Sequence, residues 1–335
     1  MKLNQAFQII ATLGPATEDK IEKLIQAGAN AFRLNCSHLT PEELQKWLSK
    51  IEIIFRRLNT ELPVWLDLQG SKMRIGELTQ PIHLQMSQLV TFHLKNAVNG
   101  TSIPLPHPEV FRNIATNVRI LLDDGRIELR TRAKNHYSFE AEVIRPGILS
   151  SYKGFVLRDI EPVMSQISHR DQEFIRKSGD WPFVGYALSF LQNEDEVQLF
   201  CQETSAHPIV AKIERIRALS RLQAITEATE VSWLCRGDLG VDGNLFQLHE
   251  YEKRFYQQMQ TQPKPFVIAG QVLENMVQRN YPSRSEVAHL GYLIENGFSG
   301  VVLSDETAVG KYPVDAVRFC AEITNFFAQK PGQFI

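Results

Sequence analysis

Five places in this chain bring charged or hydrogen-bonding side chains to the end of a short apolar run. RLNCSH contributes Arg33, Asn35, Ser37 and His38. LDLQGSKMR contributes Asp67, Lys72 and Arg74, and AKIE contributes Lys212 and Glu214. CRGDLG contributes Arg236, Gly237 and Asp238, and LSDE contributes Ser304, Asp305 and Glu306. Two carboxylates at the ends of adjacent strands, such as Glu214 and Asp238, can share one hard divalent cation, with waters and substrate completing the shell. Lys212 lies two residues before Glu214, so both side chains leave an extended strand on the same face. A lysine beside two carboxylates stays protonated and offers a compact charge to a phosphoryl group. Arg33 can add a bidentate clamp, and the glycine of CRGDLG lets backbone N–H groups approach an anion closely. These residue types suit a small phosphorylated acid held against a metal ion.

The common alternatives are absent. The sequence contains no phosphate-loop lysine motif and no G-x-G-x-x-G, so a nucleotide must be held by another design. No Ser-His-Asp or Cys-His order stands out, and His169 reads as a surface residue in the first turn of a helix.

The elements that position these residues follow from the hydrophobic period. FQIIATLG, AFRLNCS and PVWLDLQG read as buried strands. Between them, residues 17–28 read as a helix with Thr17 as N-cap and Gly28 as stop. A second helix begins at Thr40, with Pro41 in its first turn. From about Glu77 to Gly154 the period changes to two, with VNG and DDG as turn signals, and predicts a β-rich insertion. The βα rhythm then resumes. Ser168 and Asp171 open a helix, and PFVGYALS, HPIVAKIE, VSWLCRGD, PFVIAG and GVVLSDE supply five more strands. Three strands before the insertion and five after it predict an α/β fold, a (β/α)8 barrel with an inserted small β-barrel lid domain; an open doubly wound sheet is the alternative. The expected division is residues 1–76 and 155–335 for the catalytic barrel and 77–154 for the lid. In such a barrel the chemistry sits at the carboxyl ends of the strands, where the five clusters fall.

Composition narrows the partners. The net charge of −2, with no basic block, argues against nucleic acid or an anionic membrane as the main partner. The four cysteines, Cys36, Cys201, Cys235 and Cys320, are scattered without a C-x-x-C pair, which suits reduced thiols in the cytoplasm. The N-terminal apolar stretch is too short and interrupted for a signal peptide, and no 18-residue apolar run occurs.

In this order the segments resemble the pyruvate kinase family nearly end to end. ATLGPAT, RLNCSH and LDLQGSKMR are similar to its first three barrel strands, and LLDDGRIEL and YKG to its lid. AKIE, CRGDLG, GQVLENM, SRSEV and LSDETAVGKYPVDAV are similar to its later barrel segments. The resemblance implies a glycolytic, cytoplasmic enzyme moving a phosphoryl group between phosphoenolpyruvate and ADP or ATP with Mg²⁺ or Mn²⁺. It implies Glu214 and Asp238 as Mg²⁺ ligands and Lys212 and Arg33 as catalytic residues at the phosphoryl group. Ser189, Gly237, Asp238 and Gly270 fall on the substrate side. Asn35, Ser37 and Asp67 match a monovalent-cation site, and Pro15, His38, Arg74, Lys153 and Asp124 match the nucleotide side.

The sequence also departs from the family pattern. Lys72 stands where many members carry a glutamate beside the monovalent cation, so K⁺ is not expected to be required. Gly270 replaces a threonine that lies against the substrate and helps relay a proton. Gln192 replaces an arginine, Asp305 replaces a glycine, and FVLRD stands where V-N-L-P-G is usual. His289 and Tyr292 replace small or acidic residues. The family's C-terminal α/β domain has no counterpart in these residues, so sugar-phosphate control is not expected, and any homo-oligomer would differ from the usual tetramer. Three readings stand side by side: a pyruvate kinase, a divergent enzyme acting on another 2-oxo acid or phosphoenol compound, and a non-catalytic regulatory relative.

Overall fold

A computed structural model of the chain describes residues 7–70, 73–94, 102–123, 125–134, 138–158, 167–204 and 207–328. The first three apolar runs form β1 (Gln8–Leu13), β2 (Ala31–Asn35) and β3 (Val64–Asp67). The insertion supplies β4 (Ile82–Leu84), β5 (Leu89–His93), β6 (Ser102–Pro104), β7 (Arg119–Leu122), β8 (Ile127–Lys134), β9 (Ser138–Arg145), β10 (Gly147–Leu149) and β11 (Phe155–Leu157). The remaining runs form β12 (Val184–Leu188), β13 (Ile209–Ile213), β14 (Val231–Cys235), β15 (Phe266–Ala269) and β16 (Gly300–Leu303). The eight flanking strands pair in parallel and close into a barrel, in the order β1, β2, β3, β12, β13, β14, β15, β16 and back to β1. This is the (β/α)8 architecture.

These strands are apolar runs because barrel strands are covered on both faces. Alternate side chains point inward and change character along each strand. Ile10, Ala31, Trp65, Ala187, Val210, Val231, Trp233, Val267 and Val302 belong to one apolar cluster, in which the Trp65 and Trp233 rings meet edge to face at 6.2 Å. Two residues further along their strands stand Thr12, Arg33, Asp67, Ser189, Lys212 and Cys235. The barrel interior therefore runs from apolar to charged toward the carboxyl ends.

The chain divides into two compact units. One comprises Met1–Gly70, Gln166–Leu239 and Gln247–Ile335; the other comprises Ser71–Ser165 and Gly240–Phe246. The second unit is a six-stranded sheet, β11-β7-β8-β9-β5-β6, with a two-stranded sheet of β10 and β4. Its core includes Phe92 stacked on Phe139 at 4.8 Å and edge-on to Phe155 at 5.7 Å. Gly240–Phe246 packs into this unit. A Cβ on Gly125 would lie 3.6 Å from both methyl groups of Val241, and Arg158 donates to the Gly243 carbonyl.

Local capping matches the sequence at Thr40 and Ser168. Thr40 and Glu43 form a capping box at the head of the helix Pro41–Leu58, and Asp171 N–H donates to Ser168 Oγ at the head of His169–Ser178. One expectation is corrected. Thr17 is not an N-cap: its hydroxyl exchanges hydrogen bonds with the Gly14 backbone to close a turn, and the helix starts later, at Ile21. The stretch after β13 is broken into two helices, Ile216–Ser220 and Leu222–Glu227. RGDLG is the start of a short helix, Arg236–Asp242, entered directly from β14. Among the described residues no helix is long and apolar enough to cross a membrane.

Candidate active site

Asp67 is the hub of the barrel mouth. Register places it opposite Asn35 on β2, and Arg33, two residues back, opposite Thr12 on β1. Asp67 Oδ2 accepts Arg33 Nε at 2.7 Å and Nη2 at 2.6 Å. Its Oδ1 accepts Lys212 Nζ and Ser189 Oγ, each at 2.9 Å. Lys212 Nζ also reaches Ser189 Oγ and Glu214 Oε1, each at 2.8 Å, while the Phe190 N–H donates to Glu214 Oε2 at 2.7 Å. Arg33 Nη1 donates to Thr12 Oγ1 at 3.1 Å.

The electrostatics follow from this alternation of sign. Burial alone would lower the Lys212 pKa, but Asp67 and Glu214 hold it above the usual lysine value, so the ammonium stays charged. Burial would raise the Asp67 pKa, yet Lys212 and Arg33 pull it down to about 2. Glu214 goes the other way. Burial raises its pKa, Lys212 offsets part of the rise, and the carboxylates of Asp238 and Asp67 add to it. Glu214 and Asp238 are thus two mutually repelling carboxylates, a donor set that an added cation would stabilise. Burial and nearby Glu214 push the Cys235 thiol well up, so it is no nucleophile.

The neighbouring wall, at the ends of β14 and β15, is built differently. Gly270 has φ +95° and Gln271 φ +53°, so the chain leaves β15 through two left-handed residues. Arg236 donates to the Gly270 carbonyl from Nε at 3.0 Å and Nη2 at 2.6 Å, and to the Gln271 carbonyl at 2.9 Å. Arg236 Nη1 stands 3.3 Å from His289 Nδ1, and His289 Nε2 stands 3.1 Å from Glu252 Oε1. Arginine can only donate, so Nδ1 accepts and Nε2 carries the proton toward Glu252. His289 and Tyr292 stack at 6.2 Å.

A cavity of about 720 Å³ opens from Thr12, Arg33 and Asn35. It runs past Gly14, Pro15 and His38 to Glu43, Lys46, Trp47 and Lys50 on the helix Pro41–Leu58, with Ser304 and Asp305 on its other side. The structure therefore brings Arg33, Asp67, Ser189, Lys212 and Glu214 together, and places Pro15, Asn35 and His38 along a cavity that reaches Arg33. Asn35 Oδ1 accepts the Ser37 N–H at 3.2 Å. Nothing built on Gly237 would meet an atom within 4 Å, and a Cβ on Gly270 would come within 3.6 Å of the Gly237 nitrogen, so the two glycines lie close together. Arg74 and Lys153 belong to the second unit, where Arg74 Nη1 donates to the Tyr152 carbonyl at 2.9 Å and Lys153 pairs with Asp123 at 2.6 Å. Lys72 and Asp124 lie outside the described residues. Among the described residues no group of three or more His, Cys, Asp or Glu side chains converges for a metal ion.

Sequence reasoning missed Thr12, Trp47 and the side-chain role of Asp171. Thr12 could have been found, since it stands on the inward face at the end of its strand. Trp47 follows the capping-box Glu43 by one helical turn and so shares its face.

Residues 4–317 match the family model described as pyruvate kinase, barrel domain. The chain belongs to the pyruvate kinase family. It is 34% identical to the pyruvate kinase of Methylorubrum extorquens over 95% of this chain and 67% of that relative. It is 32% identical to the pyruvate kinase of Thermococcus litoralis over 94% of this chain and 68% of the relative. For that of Thermotoga maritima the figures are 29%, 94% and 70%. As a member of the pyruvate kinase family the chain falls in the class of kinase-type enzymes.

Proposed function

We propose that the chain transfers a phosphoryl group between phosphoenolpyruvate and ADP. The observation that carries this reading is the Lys212 ammonium, held charged at the barrel mouth by Asp67, Ser189 and Glu214, with Arg33 on the same aspartate. In the reaction a terminal ADP oxygen attacks phosphorus, and the phosphorus–enol oxygen bond breaks with its electron pair left on that oxygen. Protonation of the methylene carbon then gives pyruvate. Such a transfer needs positioning and charge neutralisation more than covalent help. Lys212 and Arg33 face the phosphoryl oxygens, and the backbone N–H groups of Gly237 and Asp238 meet the carboxylate. The cavity from Arg33 past Pro15 and His38 toward Trp47 takes the nucleotide. Arg74, Lys153 and Asp124 of the insertion act on the nucleotide side.

Glu214 and Asp238 would hold Mg²⁺ or Mn²⁺. Two carboxylates, with substrate and water completing the shell, are what Mg²⁺ commonly takes, and the raised Glu214 pKa marks a site short of positive charge. When bound, the ion supplies Lewis-acid stabilisation of the oxygen that becomes negative. Asp67 already faces two fixed cations, which supports turnover without added K⁺, with Lys72 as a further stand-in. The test is phosphorus NMR of the protein with phosphoenolpyruvate, ADP and Mg²⁺, in K⁺-free buffer, beside a Lys212→Ala control. A γ-phosphate signal of ATP that is absent from the control supports the reading. No signal until K⁺ is added would overturn the K⁺ claim alone.

A second reading rests on Gly270. With no side chain there, the barrel mouth at the end of β15 has room that a threonine would occupy, which favours a bulkier phosphoenol or 2-oxo acid. Untouched phosphoenolpyruvate in the same assay, with Mg²⁺ still bound, would favour it.

A further inference from the structure

The helix His169–Ser178 carries, in its first turn, a carboxylate that takes no part in the charge cluster yet bonds the turn that follows Asp67. Asp171 is 1% exposed. Its Oδ1 accepts the Gln69 N–H at 3.1 Å and its Oδ2 accepts the Gly70 N–H at 3.0 Å. Both donors lie within three residues of Asp67. From the other side the same turn is pressed against the end of β12: a Cβ on Gly70 would collide with the Ser189 carbonyl oxygen, so backbone meets backbone there. The Leu68 N–H donates to the Ala187 carbonyl at 3.0 Å. The turn is therefore fixed between Asp171 and the strand end that carries Ser189. Two of the three side chains that fix the Lys212 ammonium, Asp67 and Ser189, depend on where this turn lies.

We propose that Asp171 is a positioning residue for Lys212, acting through the Gln69–Gly70 turn on Asp67 and Ser189; this rests on the phosphotransferase reading above. A carboxylate suits the task because it presents two acceptors to two parallel N–H donors. An amide presents one acceptor and one donor, and the donor would face an N–H. Arg170, the next residue back, makes a weaker version of the same connection. Its exposed guanidinium donates to the Cys36 and Leu39 carbonyls, at 3.1 and 2.8 Å, around the turn that holds Ser37 and His38, and lies 5.3 Å from the centre of the Phe174 ring. Adjacent helical residues point about 100° apart, so one turn of helix reaches two loops.

The decisive variant is Asp171→Asn, with Arg170→Met as a milder companion from the same turn. In steady-state assays Asp171→Asn should lower kcat by about 10- to 100-fold, the scale of a displaced catalytic group, while the KM for ADP changes less than about threefold. Arg170→Met should do the reverse, raising the KM for ADP a few-fold, about the effect of one exposed hydrogen bond, with kcat little changed. Amide hydrogen exchange supplies a readout independent of turnover. In Asp171→Asn the loss of protection should spread from Gln69 and Gly70 to Phe190, whose N–H is bonded to Glu214. If exchange rises only at Gln69 and Gly70, or if kcat and KM fall together with thermal stability, the residue is merely structural and the inference is overturned. Should Asp171→Asn fail to fold, Asp171→Glu, which keeps both acceptors on a longer arm, decides by the same kcat and exchange readouts, and wild-type values for both reject the inference. Absence of turnover in the wild-type protein, with the exchange pattern still seen in Asp171→Asn, would reject the phosphotransferase reading and leave the link from Asp171 to the Lys212 site standing.

Discussion

Around Lys212 the barrel mouth is held by buried charges of alternating sign, Arg33–Asp67–Lys212–Glu214, at 2.6–2.9 Å. Two strands further round, at Gly270, the mouth is held by one guanidinium on two backbone carbonyls, with a half-buried histidine behind it. The first arrangement needs each of its members, since removing any one leaves a buried charge unbalanced. The second depends on backbone shape, and its side chains are supports. Chemistry that must not vary suits the first wall; a substrate contact that can change between relatives suits the second.

The largest expected effect is on the charged wall. On the proposed reading Lys212→Met should lower kcat by about a thousandfold or more, since it removes the positive charge assigned to the phosphoryl group. It should also cost about 3–5 kcal/mol of stability, because Asp67 and Glu214 lose a buried partner. Full activity in this variant would break the comparison. Asp67→Asn comes next, at roughly 3 kcal/mol by denaturant titration, with Arg33 and Lys212 left to repel each other.

Acid sharpens the same point. The folded pKa of Asp67, about 2, lies below that of an unfolded aspartate, about 3.9. Its contribution is therefore complete above the unfolded value and is lost as pH falls through about 2, with roughly 2–3 kcal/mol at stake. Acid unfolding followed by circular dichroism should show this loss in the wild type and not in Asp67→Asn.

The wall around Gly270 should give smaller numbers. Gly270→Thr restores the residue type usual in the family, but a β-branched residue at φ +95° is strained. About 1–3 kcal/mol should be lost in thermal unfolding unless the loop rearranges. A stabilised Gly270→Thr protein would show that the left-handed turn is no constraint. His289→Phe, which removes the acceptor for Arg236, should cost no more than about 1 kcal/mol and leave kcat within a few-fold.

The sequence made the charged wall legible because strand ends in a barrel are chemically selected positions, and Lys212, Glu214 and Asp67 stand at such ends with the right parity. Eight apolar runs with a period-two interruption were enough for the barrel. What could not be read was anything decided by distant backbone. Asp171 looks like a capping residue because its two N–H partners lie about a hundred residues away in the chain. Thr17 satisfies every local rule for an N-cap, yet it binds Gly14 because the chain turns there before the helix begins. RGDLG resembles a glycine loop by composition, and only its place after β14 makes it helical.

The seven residues Gly240–Phe246 bear on how the protein could be taken apart. They follow Asp238 and Leu239 directly in the chain but find their partners, Gly125 and Arg158, in the inserted unit. A minimal barrel made by splicing residue 70 to residue 166 would therefore not be a clean excision. It would strip that loop of its packing, lay bare Val241 beside the already exposed Leu245 and Phe246, and unsettle the short helix that presents Asp238. Modular redesign of this chain has to treat the segment as a detached piece of the insertion and remove or rebuild it at the same time.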